Sequence, residues 1–302
     1  MYASIDGTKE RFPDWDRNPR SPVPLPPRGS CDCQIHIYES QDKYPVRWNI
    51  AHEIPDATFA DAKRVLQVLG FDRAIVVHAS VYDIDYSMIA DILRSEPDRN
   101  KFRGVVVIND SVQDKELDDL AALGVCGIRF HIAKRYAAYP KEAFLRQVDR
   151  AKARGWHVRL HMDGPDLLEY ADVLEKLEKI PISIDHMGRV DFSLGLDQPA
   201  VRWILKMLRR DNWWMMVSNG NRTSALESGW DDAVPFGRAY LEAAPDRTIW
   251  ATDWPHVRWR KKRMMNDAEE VELLYRYADN DAEILQKVLV DNPARLHGFD
   301  PP

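Results

Sequence analysis

From residue 31 onward, short runs rich in Val and Ile alternate with segments whose apolar residues recur every three or four positions. Such runs fit parallel strands buried on both faces, and the segments between them fit amphipathic helices. Strands are expected at roughly 31–37, 73–79, 102–108, 126–130, 156–161, 181–185, 213–217 and 247–252. Helices are expected over 58–69, 114–123, 141–153, 167–177, 198–209 and 232–244, with a helical tail over 282–289 and 292–296. Gly70, Gly124 and Gly155 stand just before the next strand, where glycine commonly ends a helix. Eight strand–helix units without an internal repeat predict an α/β fold, a single distorted (β/α)8 TIM barrel over 31–302.

The 302 residues suit one barrel of this kind. Residues 1–30 read differently. Pro13, Pro19, Pro22, Pro24, Pro26 and Pro27 exclude helix and central strand, so an extended Pro-rich arm is expected, lying on the barrel or loose in solvent. A net charge of −6 gives no general attraction to nucleic acid or acidic membranes. No apolar run approaches the roughly 18 residues of a membrane span, and the N-terminus lacks the layout of a secretory signal. The three cysteines are odd in number, and Cys31 and Cys33 stand too close for an unstrained bridge within one strand. They read as reduced, buried strand thiols of a cytoplasmic protein. A zinc site at Cys31-Asp32-Cys33 lacks a second cysteine pair to complete it.

In such barrels the catalytic groups project from the carboxyl ends of several strands. Here strand after strand ends on a polar residue. Gln34 and His36, two positions apart, share a face of the first strand; His78 and Tyr82 follow the second. Arg129 ends the fourth, with Arg135 in the loop beyond; His161 ends the fifth; His186 and Arg189 follow the sixth. Asn219 and Arg222 follow the seventh. The eighth runs Ile249-Trp250-Ala251-Thr252-Asp253-Trp254-Pro255-His256, a strand halting at a carboxylate before a rigid turn.

These groups suit hydrolysis: Asp253 as a general base toward water, His36 and His186 hydrogen-bonding a carbonyl oxygen as it gains charge. Arg129, Arg135, Arg189 and Arg222 offer forks for substrate carboxylates, and His161, His78, Tyr82, Asn219 and His256 are further candidates for substrate contact. The plainer readings are a turn-capping role for Asp253, structural histidines, and surface ion pairs for loop arginines; the last is favoured for Arg258, Arg260 and Arg263. No Gly-x-Ser-x-Gly elbow, phosphate loop or dinucleotide fingerprint occurs. Aromatic residues near the strand ends, among them Tyr38, Trp48, Tyr136 and Trp254, suit a planar unsaturated ring.

Gly127-Ile128-Arg129-Phe130, Gly155-Trp156-His157-Val158, Ile184-Asp185-His186-Met187-Gly188-Arg189, Ala251-Thr252-Asp253-Trp254-Pro255-His256 and Asn292-Pro293-Ala294-Arg295-Leu296, in that order, resemble the amidohydrolase superfamily and, within it, the branch of pyrone-dicarboxylate lactonases. The resemblance runs from about Gly29 to Phe299. It implies a distorted barrel that opens a small carboxylate-bearing lactone. Asp253 would activate water, His186 would polarise the carbonyl, and Arg129, Arg135 and Arg222 would hold carboxylates.

One departure bears on the cofactor. The family's first-strand signature is His-x-His, and here it is Gln34-Ile35-His36. Glutamine is a poor ligand for a catalytic divalent metal, so a metal-free site is favoured, with Gln34 able to donate its amide N–H to the lactone carbonyl. A zinc or manganese site on His36, His161 and Asp253 remains the alternative. The corresponding alternative activities are a metal-dependent decarboxylase, or another hydrolase of the superfamily, acting on an aromatic or muconate-like acid; a non-catalytic binder of acidic ligands is a third reading. The expected partner is a small carboxylated molecule, and the sequence leaves a homo-oligomer open.

Overall fold

The computed structural model describes residues 9–47, 50, 52–132 and 139–300. Eight parallel strands follow one another around a single sheet in chain order. They are β1 (Cys31–Ile35), β2 (Arg73–Val77), β3 (Phe102–Val106), β4 (Val125–Ile132), β5 (His157–Met162), β6 (Ile182–Ile184), β7 (Trp213–Met216) and β8 (Thr248–Ile249). The chain after β8 returns to β1. The Cys33 amide donates to the Trp250 carbonyl at 3.1 Å, the Asp253 amide to Gln34 at 3.1 Å, and the His36 amide to Trp254 at 2.8 Å. The result is the expected TIM barrel, with helices between the strands.

Strands 1, 2, 3, 6, 7 and 8 end earlier than expected, whereas β4 and β5 run further, to Ile132 and Met162. β1 carries a register shift between Asp32 and Ile35. That irregularity matters to the site. Cys33 packs in the cluster that includes Cys31, Ile75, Val77, Val105, Met216 and Ala251, yet its neighbour Gln34 reaches the same interior. Strict alternation would send adjacent residues to opposite faces, and a bulge removes that conflict.

The helices Asp114–Leu123 and Lys141–Ala153 have the expected bounds. Phe59–Leu69 begins on a reciprocal cap between Thr58 and Asp61 and ends at Gly70 with φ of 85°. The helix expected over 167–177 is instead two short ones, Gly164–Glu169 and Ala171–Leu174, the first started by a proline in its opening turn. Two further helices, Ser87–Ser95 and Asp267–Tyr277, occupy segments the periodicity did not single out. The tail passes from Ala282–Gln286 through a π-helical turn, Lys287–Asp291, into Asn292–His297. Leu296 and Phe299 join the interior cluster, and Asn292 Nδ2 donates to the carbonyl of Thr248 at 2.7 Å. This last helix therefore plugs the amino end of the barrel, leaving the carboxyl end for chemistry.

Residues 9–30 contain no helix or ladder strand; Glu10 makes a single bridge to His52. Trp15 is buried edge-on against Trp254, ring centroids 4.9 Å apart, and its Nε1 donates to Asp56 at 2.9 Å. Among the described residues no helix is long and apolar enough to cross a membrane.

Candidate active site

At the carboxyl end of the barrel the Gln34 amide nitrogen forms a hub. It lies 2.5 Å from Asp253 Oδ1, 3.1 Å from His36 Nε2 and 3.3 Å from His186 Nε2. Its orientation is fixed from behind, because the Arg159 guanidinium donates to Gln34 Oε1. Arg159 also donates to the Cys33 carbonyl at 2.9 Å and to Asp185 Oδ1 at 3.0 Å. It is fully buried, in line with the register that places His157, Arg159 and His161 on one face of β5.

The His36 and Gln34 hydrogens can be assigned from their partners. His36 Nδ1 faces the Val77 carbonyl at 2.8 Å, an acceptor, so the proton sits there and Nε2 accepts from Gln34. The two amide hydrogens of Gln34 are then spent on Asp253 and His36. His186 Nε2 faces Arg129 Nη2 at 3.3 Å, and its Nδ1 faces Ser218 Oγ at 2.8 Å. Asn219 Nδ2 lies 3.0 Å from the same Nδ1, so an N–H donor faces each nitrogen of this ring, and Ser218 Oγ can serve as donor or acceptor. Burial drives the His186 pKa down to about 3 despite the pull of Asp253 and Asp185, so this ring is neutral.

Asp253 sits in the left-handed region at φ of 61°, in the turn after β8. Burial by itself would raise its pKa. Its neighbours His186, His36 and Arg222 outweigh that and hold the carboxyl well below the usual range, Arg222 being the one that carries a full positive charge. Its second oxygen accepts from Asn219 Nδ2 at 2.8 Å. Asn219 is held in turn by Glu270, whose Oε1 accepts from the Asn219 amide at 2.9 Å. Below Asp253, Asp32 accepts from Thr252 Oγ1 at 2.5 Å and from the Thr252 and Gln34 amides, both at 3.1 Å. This fastens the strand-eight turn to the bulge of β1.

A buried charged layer lies alongside. Arg129 Nε donates to Asp185 Oδ2 at 2.8 Å, and its Nη2 faces His161 Nδ1 at 2.8 Å. Burial would raise the Asp185 pKa, but Arg159 and Arg129 together keep it lowered. His161 is held well below its usual pKa by burial and then by Arg129.

The structure thus brings Gln34, His36, His161, His186, Asn219, Arg129 and Asp253 together. Arg222 lies close enough that its charge acts on Asp253. Its Nη1 donates to Val257 at 3.0 Å, and its buried Nε has no partner among the described residues. Arg189 is paired with Asp163 at 2.7 Å. His78, buried and with its pKa lowered to about 4 by burial, has its Nδ1 3.5 Å from the Val107 amide. The Tyr82 ring lies 6.1 Å from that of Tyr38. His256 is turned to a buried carboxylate, its Nε2 2.7 Å from Asp267 Oδ1. Arg135 falls outside the described residues, as do Trp48 and Tyr136.

A metal on His36, His161 and Asp253 does not fit this arrangement. His36 Nε2 and Asp253 Oδ1 both receive the Gln34 amide, and His161 Nδ1 faces a guanidinium. His161, Asp185 and His186 do offer ligand atoms within 4.8 Å of one another, but Asp185 already answers two arginines. A cation there would have to displace N–H donors and sit beside Arg129.

A barrel whose carboxyl end gathers a carboxylate, three histidines and a buried arginine defines a hydrolase of the amidohydrolase type. Residues 31–299 match the amidohydrolase family, and the chain belongs to it. It is 34% identical over 294 residues to a 2-pyrone-4,6-dicarboxylate hydrolase of Comamonas testosteroni, covering 94% of this chain and 95% of that protein. It is 32% identical over 275 residues to a 4-sulfomuconolactone hydrolase of Hydrogenophaga intermedia, covering 90% and 89%. The crystal structure of an Agrobacterium tumefaciens protein in apo form superposes with a TM-score of 0.81 at 26% identity, covering 93% of this chain and all of that one.

Proposed function

We propose that this chain hydrolyses a small lactone carrying an acidic group, with water activated by Asp253 and no metal in the barrel mouth. The observation that carries the reading is the pair of neutral N–H donors, Gln34 and Asn219, one on each oxygen of Asp253. They hold the carboxylate in one orientation without a full positive charge on either oxygen, so it keeps the capacity to take a proton from water.

Proton balance follows from these groups. Attack by water on the lactone carbonyl sends one proton to Asp253 and places negative charge on the carbonyl oxygen. Arg129 is the cation on that side that can offset this charge, the two Gln34 amide hydrogens being engaged by Asp253 and His36. His186 stands between Arg129, Ser218 and Asn219 and positions them around Asp253. Collapse of the tetrahedral intermediate breaks the ring C–O bond, and the proton on Asp253 returns to the leaving oxygen. Substrate binding strengthens the base. An acidic group on Arg222 offsets one of the charges that depress Asp253 and so raises its proton affinity.

Arg222→Met is therefore expected to raise KM by about 10- to 100-fold, the worth of a hydrogen bond to a charged group, with a smaller loss in kcat. Steady-state kinetics on a carboxylated lactone reads this directly; unchanged KM would take Arg222 out of substrate binding. The pH dependence has a defined sign. Asp253 works ionised and its pKa is lowered, so kcat/KM should hold through the mildly acidic range and fall only as pH drops through that low value. An acid limb near pH 6 would point to a different base.

The test of the activity is a panel of lactones, including 2-pyrone-4,6-dicarboxylate and 4-sulfomuconolactone, with ring opening followed spectroscopically. Opening of at least one supports the reading. A metal-dependent decarboxylase is the less favoured reading, because the Gln34 amide stands among the groups that would ligate the cation.

A further inference from the structure

At the opposite end of the barrel a second cluster has no part in this chemistry. Cys126 on β4, His157 at the start of β5 and His297 on the terminal helix place one ligand atom each within 4.8 Å of one another. Cys126 Sγ lies 3.8 Å from His297 Nδ1, and the two imidazole rings stand nearly edge to face, 4.8 Å apart. Both histidines are 1% exposed. Among the described residues His297 Nε2 has no hydrogen-bond partner, and the His157 ring has none of good geometry, its one backbone neighbour being Cys126. Buried imidazole nitrogens left without a good partner are costly, and here they gather beside a thiol, a set of donors that suits a ligand.

We propose that Cys126, His157 and His297 bind one soft d10 cation, zinc(II) or copper(I), that ties the terminal helix to the floor of the barrel. The donor set is one thiolate and two imidazoles, a set suited to both ions. Tetrahedral coordination with metal–sulfur near 2.3 Å and metal–nitrogen near 2.0 Å puts sulfur and nitrogen roughly 3.5 Å apart, close to the separation found here. Burial keeps both imidazoles in the neutral, ligating form. Burial also raises the Cys126 thiol to about 12, while Arg103 and Arg159 pull it down. A thiol ligates as thiolate, so binding releases its proton. The positive charges of Arg103 and Arg159 favour the thiolate and weigh against excess charge on the ion. Cys126 is the partly buried member of the three, its Sγ 3.5 Å from the Gly104 carbonyl. Residues that ligate here lie on β4, β5 and the helix Asn292–His297, so the ion closes a contact across the whole later half of the chain.

The full-length protein, expressed with added zinc or copper, is analysed for both metals, and a chelator-treated sample is titrated with cobalt(II). The expected result is close to one zinc or copper per chain and a near-ultraviolet thiolate-to-cobalt charge-transfer band, with metal content lowered about tenfold or more in Cys126→Ser and unchanged in His36→Ala. Which metal is found separates the two sources. Metal content near zero together with no charge-transfer band overturns the proposal and leaves water as the partner of these nitrogens. So does an ion retained in Cys126→Ser but lost in His36→Ala, which would place it at the barrel mouth. The cobalt band on the unmodified protein keeps the test decisive if a variant fails to fold.

Discussion

Asp253→Asn is expected to lower ring-opening kcat by about 10²- to 10⁴-fold, the usual contribution of a positioned proton acceptor. The substitution keeps the shape of the side chain but replaces one acceptor oxygen by a donor. Gln34 and Asn219 both donate to this side chain, so one of them loses its acceptor. A stability cost of about 1–3 kcal/mol accompanies the kinetic loss. Circular dichroism and a urea melt separate the two effects. Turnover near the unmodified rate in a folded Asp253→Asn protein would remove this residue from the mechanism.

Arg159→Met is the second large effect, and it acts on the fold. Arg159 is 0% exposed and joins Asp185, the Gln34 side chain and the Cys33 carbonyl across the barrel interior. Its removal leaves Asp185 with Arg129 alone and Gln34 Oε1 without its donor. Breaking a buried pair by deleting one partner typically costs about 3–5 kcal/mol, and that is the expected loss in urea-derived stability. Because Gln34 is also freed to rotate, any residual folded protein should be slow in ring opening. A stability loss below about 1 kcal/mol would mean that Asp185 and Gln34 do not depend on this guanidinium.

The barrel was legible because its strands are short, apolar and regularly spaced, and because their carboxyl ends carry Gln34, His36, Arg129, His186 and Asp253. Arg159 and Asp185 stood in view as well. The alternation His157, Arg159, His161 marks one face of β5, and Asp185 directly precedes His186. Neither was singled out, because a buried ion pair between β5 and the end of β6 leaves no local trace beyond two charges inside apolar runs. Glu270, which holds Asn219, lies in the acidic first turn of the helix Asp267–Tyr277, where a carboxylate reads as a helix-start residue. The tie from His256 to Asp267 spans eleven residues and depends on how that same helix packs. The inward turn of both Cys33 and Gln34 came from a bulge, and a period-two pattern cannot announce a register shift.

The most direct test is ring opening of 2-pyrone-4,6-dicarboxylate and 4-sulfomuconolactone by protein stripped of metal with a chelator. At least one of them should be opened at the rate of untreated protein, and adding zinc or manganese should leave this rate unchanged. A folded protein that opens neither, or one whose activity vanishes on stripping and returns with a divalent cation while Cys126→Ser behaves the same way, would contradict metal-free lactone hydrolysis.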